Sequence, residues 1–219
     1  MAAPGTHEAV YALVGQYMPA PARVADLAAG EGAFSVKLQE LGHDVIAVDA
    51  ADDHWKVPAI EHRVIDLDSE FAETVRAGRS DLDAVVAIEI IEHLENPFRF
   101  VRECAKLVKP GGLLFVTTPN VEAVHSRLIF LYTGRLNAFG AYETVRPAHI
   151  TPIFKWKLDM ILDEAGFETV EEKFTPQAFA EGTNLKMKLT VLVSKFLGYF
   201  LKGAKGDSGR IVVARKRSE

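Results

Sequence analysis

The sequence predicts an α/β protein built on one doubly wound, mostly parallel sheet with helices on both faces. Short apolar runs alternate with amphipathic stretches, the pattern of successive βαβ units. The runs are apolar at nearly every position rather than every second one, as strands need when both faces of their sheet are covered. A glycine-rich turn directly follows the first run and opens a helical segment.

Residues 6–18 read as an N-terminal helix packed on the domain, within an N-terminal helical segment of residues 1–20. Strands are expected over residues 23–29, 44–50, 62–67, 82–90 and 113–118. Between the last two, Asn96-Pro97 supplies an N-cap and a first-turn proline, and Pro110-Gly111-Gly112 ends the segment after Lys109. Val101, Cys104, Ala105 and Val108 then share a buried face. A further helix is expected to start at Thr151-Pro152, to bury Phe154, Leu158, Ile161, Leu162 and Ala165, and to stop at Gly166 before a strand over 167–174. Residues 183–205 read as an amphipathic basic helix inserted before a last strand over 210–214. No repeat, linker or internal boundary divides the chain, so 1–219 is read as a single domain.

With 48% hydrophobic and 25% charged residues, the composition is that of an ordinary globular protein. A formal charge of -5 argues against a protein that holds a nucleic-acid backbone, because that affinity rests on Lys and Arg neutralising phosphates. The charge is uneven: residues 182–219 carry nine Lys or Arg against Asp207 and Glu219, a balance of +7 that leaves -12 elsewhere. The lone Cys104 excludes an internal disulfide, and the first residues lack the basic region and apolar core of a signal peptide. Both point to the cytoplasm.

The chemistry is carried by Asp26-Leu27-Ala28-Ala29-Gly30-Glu31-Gly32, whose glycines permit a tight turn and close approach of a ligand to the backbone. Seventeen residues past Gly32, the second strand ends at Val48-Asp49, where a carboxylate can accept from both hydroxyls of an adenosine ribose. Dinucleotide-binding dehydrogenases share these features. Asp26 separates the two cases, since a carboxylate at the mouth of the turn repels a pyrophosphate but suits an ammonium group and a sulfonium cation. The third glycine of the dinucleotide pattern is replaced by Ser35.

From about residue 23 to 174 the chain resembles the class I S-adenosylmethionine-dependent methyltransferases. It is most similar to the branch of ubiquinone-biosynthesis O-methyltransferases and methyltransferases of bacterial small-molecule and polysaccharide pathways. The resemblance rests on the stretch 26–32, on Asp49, on Asp83-Ala84-Val85-Val86-Ala87-Ile88-Glu89-Ile90-Ile91-Glu92-His93-Leu94, and on Leu107-Val108-Lys109-Pro110-Gly111-Gly112-Leu113-Leu114. It implies a seven-stranded Rossmann-like sheet with the last strand antiparallel, and S-adenosylmethionine as cofactor. By the same resemblance, Asp26, Ala28, Gly30 and Gly32 hold the methionine end, and Asp49 and Ala50 the ribose. Asp66 and Leu67 meet adenine, with Asp68 or Asp52 as alternatives to Asp66, and Glu89 faces the methionine group and the acceptor. The family usually has glycine where this chain has Ala28.

Methyl transfer to a hydroxyl is assisted by a base that removes the acceptor proton. His93, just beyond the fourth strand, and His149, in a segment that closes over the substrate in relatives, are the candidates, with Glu92 and His125 behind them. Alignment alone can supply much of the rate, because the sulfonium is already an activated donor. Glu92-His93 lacks the paired-ligand spacing of a zinc site, so no metal is expected.

Residues 121–150 are expected to form a lid over the acceptor, with an apolar core at Leu128-Ile129-Phe130-Leu131-Tyr132. On a helical wheel Leu185, Leu189, Leu192, Phe196, Tyr199 and Phe200 share one face, while Lys188, Lys195 and Lys202 align on another flank. Such a helix, with no acid in it, fits either docking on its own domain or peripheral contact with anionic lipid; it is too short and too often interrupted by lysine to span a membrane. The expected activity is transfer of methyl to a small-molecule or lipid-linked acceptor, with oxygen preferred by resemblance. The rivals are a nicotinamide-dependent oxidoreductase and a non-catalytic module acting through the basic tail. Nucleic-acid methylation is disfavoured by the absence of an aromatic-Pro-Pro signature after the fourth strand. Acceptor identity and oligomeric state are not written in these residues.

Overall fold

The computed structural model describes residues 4–78, 80–145, 148–175, 185–202, 206 and 208–218. At its centre lie β1 (Arg23–Leu27) and β4 (Leu82–Ala87), paired in parallel with Val24 opposite Ala84 and Leu27 opposite Ala87. Outward from β1 come β2 (Asp44–Asp49) and β3 (Glu61–Val64); outward from β4 come β5 (Val108–Pro119), β7 (Gly209–Lys216) and β6 (Phe167–Thr175). The order β3-β2-β1-β4-β5-β7-β6 contains seven strands, of which only β7 runs against its neighbours. This is the predicted architecture, with β7 inserted antiparallel between β5 and β6.

Alternate residues of the inner strands enter two different cores, as a pleated strand covered on both sides requires. Val24, Ala84 and Val86 pack with α1 (Thr6–Tyr17) and α2 (Ala33–Glu40) through Val10, Leu13, Phe34 and Leu38. Ala25, Leu27, Val85 and Ala87 pack with α3 (Ala72–Arg76), α4 (Pro97–Leu107) and α6 (Lys155–Glu164) through Val75, Phe100, Val101, Cys104, Leu158 and Ile161. The predicted cap of α4 is formed, because the Asn96 side chain accepts from the Arg99 amide at 2.9 Å and Pro97 occupies the first turn.

Three boundaries depart from the sequence reading. α4 stops at Leu107, and Val108 already belongs to β5, so Pro110-Gly111-Gly112 lies near the start of a strand and not in a helix stop. β3 ends at Val64, leaving Asp66 and Leu67 in the turn beyond it. α6 starts at Lys155, not at Thr151. Thr151 is diverted from capping because its hydroxyl donates to the Leu94 carbonyl at 2.6 Å and its amide to the Glu92 carbonyl at 2.9 Å.

Beyond β5, α5 (Val124–Thr133) begins the expected lid, and α7 (Leu185–Gly198) packs against it. The base of this pair is tied to the sheet by Arg210, which is fully buried. Its guanidinium donates to Glu122 and to Glu172, each at 2.8 Å, and lies over the Phe174 ring. Glu122 also accepts the Lys155 amide at 2.7 Å, so one carboxylate links the loop after β5, β7 and the first turn of α6. Residues 183–184 and 203–205 of the predicted basic helix, and 146–147 of the lid, lie outside the described residues.

Gly112 carries a steric demand that can be tested. A Cβ there would lie 2.7 Å from the Asp83 carbonyl oxygen and 2.5 Å from Val108 Cγ1, whereas a Cβ on Gly15, within α1, would meet nothing within 4 Å. Gly112→Ala is expected to destabilise the fold by about 1–3 kcal/mol, the range for overpacked sites. Gly15→Ala is expected to be neutral or to stabilise by up to about 1 kcal/mol. Urea denaturation midpoints of the two variants check both.

Candidate cofactor and acceptor site

The carboxyl ends of β1 and β4 lie side by side, and at both the chain turns into the left-handed region. Ala28 has φ 62°, Gly30 56°, Gly32 89° and Glu89 50°. For the two non-glycines this conformation is strained, a feature that recurs at ligand sites. Gly32 needs its missing side chain twice over, since a Cβ would fall 2.6 Å from Val57 and 2.8 Å from the Trp55 ring. Gly30 faces open space instead, with nothing within 4 Å of the position of a Cβ.

The turn is held from below and from the side. Asp26, on the last half of β1, is 2% exposed and accepts from the Ser35 hydroxyl at 2.6 Å. Burial pushes its carboxyl up to about 7; the Ser35 hydrogen bond opposes the rise and the Asp49 charge adds to it. Asp49, at the end of β2, accepts the Gly30 amide on Oδ2 and the Ala50 amide on Oδ1, each at 2.7 Å. Each of these oxygens keeps a second lone pair, enough to receive the two hydroxyls of a ribose. The Gly30 and Ala50 amides are thus directed to Asp49, which makes them supports of the carboxylate.

The residues expected to meet adenine lie in different settings. Asp68 accepts the Glu95 and Asn96 amides and so anchors the entry to α4. Asp66 is exposed beyond β3 and accepts the Asp68 amide on Oδ1 at 2.9 Å. Asp52 is exposed in the loop after β2. Leu67 is 4% exposed and sits in the core with Phe71 and Phe100, which leaves its side chain little surface to lay on a ring.

On the other side of the cleft, Glu89 is oriented by Thr117 of β5. The Thr117 hydroxyl accepts from the Glu89 amide at 2.9 Å and donates to Glu89 Oε1 at 2.8 Å. Burial raises the Glu89 carboxyl. A single 3-10 turn over Ile91–His93 then carries Glu92 inward. Glu92 is fully buried, and among the described residues neither of its carboxyl oxygens has a hydrogen-bond partner. Burial, and next the Glu89 charge, hold its carboxyl well above the usual range.

His93 and His149, fifty-six residues apart in sequence, meet edge to face with ring centroids 4.6 Å apart. The segment that brings them together is the one that delayed α6: the Ile150 and Thr151 amides both donate to the Glu92 carbonyl. His93 Nδ1 lies 3.0 Å from the Ala148 carbonyl, and His149 Nδ1 lies 2.6 Å from the Ala138 carbonyl. A carbonyl can only accept, so each Nδ1 carries hydrogen and each neutral ring keeps Nε2 as its basic nitrogen. Burial, followed by the neighbouring His149, lowers the pKa of His93 and favours its neutral form. Glu92, His93 and His149 each offer one atom to a group within 4.8 Å of one another, so the fold adds a third potential ligand atom to Glu92-His93. His125 is buried inside the lid, where Nε2 lies 3.3 Å from Asn137 Nδ2.

Sequence reasoning missed Thr117 and Ser35 as supports of Glu89 and Asp26. Ser35 had been weighed only as a missing glycine, and Thr117 is an ordinary residue of a buried strand until β4 and β5 are in register.

A methyltransferase-domain family model matches residues 7–172. Among curated proteins, the ubiquinone biosynthesis O-methyltransferase of Caulobacter vibrioides is 39% identical over 100 residues, 43% of this chain and 40% of that one. The protein of the same name from Xanthomonas axonopodis pv. citri is 38% identical over 147 residues, 60% of each chain. The matches thus span about half the length of these relatives. Among solved structures, a SAM dependent methyltransferase from Archaeoglobus fulgidus superposes with a TM-score of 0.65 at 20% identity, covering 97% of this chain and 95% of that one. The [4+2]-cyclase SpnF superposes with a TM-score of 0.62 at 15% identity, covering 97% and 82%. These two establish the fold alone, and the second carries a different chemistry in its name. The family match runs over three quarters of the sequence and takes in the turn at 26–32, Asp49, Glu89 and the His93–His149 pair: the chain belongs to the methyltransferase-domain family.

Proposed function

We propose that the chain moves the sulfonium methyl of S-adenosylmethionine to an oxygen of a hydrophobic small-molecule or lipid-linked acceptor. The observation that carries this reading is the convergence of His93 and His149 just beyond the carboxyl end of β4, each with Nδ1 turned to a backbone carbonyl. The residues around the turn fit the cofactor. Gly30 borders open space, Asp49 offers lone pairs for the ribose, and the buried Asp26 carboxyl lacks the cation that an ammonium or sulfonium group would provide. That two curated relatives are named O-methyltransferases supports oxygen as the atom methylated.

When bound, the cofactor supplies a methyl group already activated by its positive sulfur. The protein's part is to align an acceptor oxygen behind that methyl, exclude water and receive one proton. In a transfer that breaks the C–S bond and leaves its electron pair on sulfur, Nε2 of His149 or His93 would receive the proton of the acceptor hydroxyl. Glu89, fixed by Thr117, would border the methionine group and the acceptor. A second reading of Glu92, His93 and His149 is a divalent cation that binds the acceptor oxygen directly, motivated by their ligand geometry. Unchanged turnover after chelation and gel filtration supports the base; loss restored by added Mg²⁺ or Zn²⁺ supports the cation.

Asp49→Ala is expected to weaken S-adenosylmethionine binding by about 1–3 kcal/mol, the cost of stranding hydrogen-bonded groups; an unchanged titration removes Asp49 from the site. His149→Ala is expected to lower kcat by about a hundredfold or more, within the range for lost general-base catalysis, with the cofactor Kd unchanged. A fully active variant would leave His149 a purely structural role.

Asp26 gives a pH dependence whose sign is fixed. Its folded value of about 7 lies above the ordinary 3.8, so between these values the folded chain holds a proton that the unfolded chain has lost. Stability of the ligand-free protein therefore falls as pH rises from 3.8 towards about 7. A cationic ligand stabilises the ionised carboxylate. Below about 7, binding should release a proton and affinity should rise with pH. Calorimetry at pH 6 in buffers of different ionisation enthalpy measures this release, and Asp26→Asn should abolish it.

A further inference from the structure

α5 and α7 lie against each other at the rim of the acceptor side. Arg127 of α5 donates to the Lys202 carbonyl at 2.7 Å, and Gly198 approaches Val124 closely enough that a Cβ would touch it at 3.7 Å. The inner face of α7 is therefore the one that carries Ser194, which is buried, and Gly198. The large apolar side chains turn the other way. Leu131 and Tyr132 of α5 are 83% and 92% exposed, and on and just beyond α7, Leu192, Phe196, Tyr199 and Phe200 are 63–86% exposed. This is the reverse of an amphipathic helix docked on its own domain, which hides its aromatic residues and shows its polar ones. Apolar exposure on this scale, with the Phe196 and Phe200 rings 5.5 Å apart, marks an interaction surface.

Charge identifies the occupant. Residues 123–142 and 182–206 contain no Asp or Glu in a chain whose formal charge is -5. Lys188 and Lys195 are exposed on α7, Lys202 follows it, and Arg135 follows α5. Aromatic and aliphatic side chains flanked by lysines and free of acids match the boundary of an anionic bilayer, where rings sit at the headgroup level and lysines meet phosphates. No helix among the described residues is long and apolar enough to cross a membrane, so the contact is with one leaflet.

We propose that the exposed faces of α5 and α7 form a single docking surface for an anionic lipid bilayer. The lid that holds His149 through the Ala138 carbonyl follows directly from α5, so docking places the acceptor cleft against the leaflet. The surface itself does not depend on the methyl-transfer reading, and its test uses no turnover measurement.

The test is co-sedimentation of the full chain with vesicles of phosphatidylcholine alone and with 30% phosphatidylglycerol, at two salt concentrations. Binding is expected to the anionic vesicles only, and to weaken as salt rises. Phe196→Ser with Phe200→Ser, and separately Lys188→Glu with Lys195→Glu, are each expected to reduce the bound fraction at least tenfold, with S-adenosylmethionine affinity and circular dichroism unchanged. Absence of binding to anionic vesicles, or binding insensitive to both pairs, overturns the proposal. A dimer in light scattering that the Phe pair dissociates would overturn it too, by assigning the face to a second copy of the chain.

Discussion

The parallel pairing of β1 with β4 is the constraint on which the site depends. These strands lie next to each other although two helices and two other strands separate them in sequence, so the crossovers leave the sheet in opposite directions and open a crevice between their carboxyl ends. Everything chemically notable then follows within a few residues. The backbone turns left-handed at Ala28 and again at Glu89, Asp26 is sealed beneath one turn, and Thr117 of the next strand holds the carboxylate at the other. Both strands are apolar on both faces, which makes this geometry rigid.

Burial of carboxylates sets the electrostatics of the crevice. Asp26 and Glu92 are buried and Glu89 is partly buried, none of them in an ion pair with Lys or Arg among the described residues, and burial is the first cause of the raised pKa of each. Native folds avoid such costs unless a ligand offsets them. A positively charged molecule bound between the two turns would do so at Asp26. Arg210 shows the contrasting arrangement: its charge is just as deeply buried, but two carboxylates and an aromatic face lie against it and join β7 to β6 and to the loop after β5.

The fold was legible because its signals are local. Strand apolarity, the Asn96 cap and the glycine turn depend on neighbouring residues, and all seven strands fall where the pattern puts them to within a few positions. The errors came where tertiary hydrogen bonds competed with local ones. Thr151 looks like a cap but bonds to Leu94. The places of Asp26 and Asp49 at strand ends beside the glycine turn could be read from order and spacing. The meeting of His93 with His149 could not, because it is made by two amides donating to the Glu92 carbonyl across a connection of more than fifty residues. Nor could the orientation of α7, since a helical wheel shows two faces without saying which one the domain covers.

The measurement that tests the account most directly is parallel calorimetric titration of the chain with S-adenosylmethionine, S-adenosylhomocysteine and NAD. A crevice built around Asp26 and Asp49 predicts binding of both sulfur ligands and none of NAD, whose pyrophosphate would have to lie over the turn that covers the buried Asp26 carboxyl. Binding of NAD alone, or of none of the three, would contradict it.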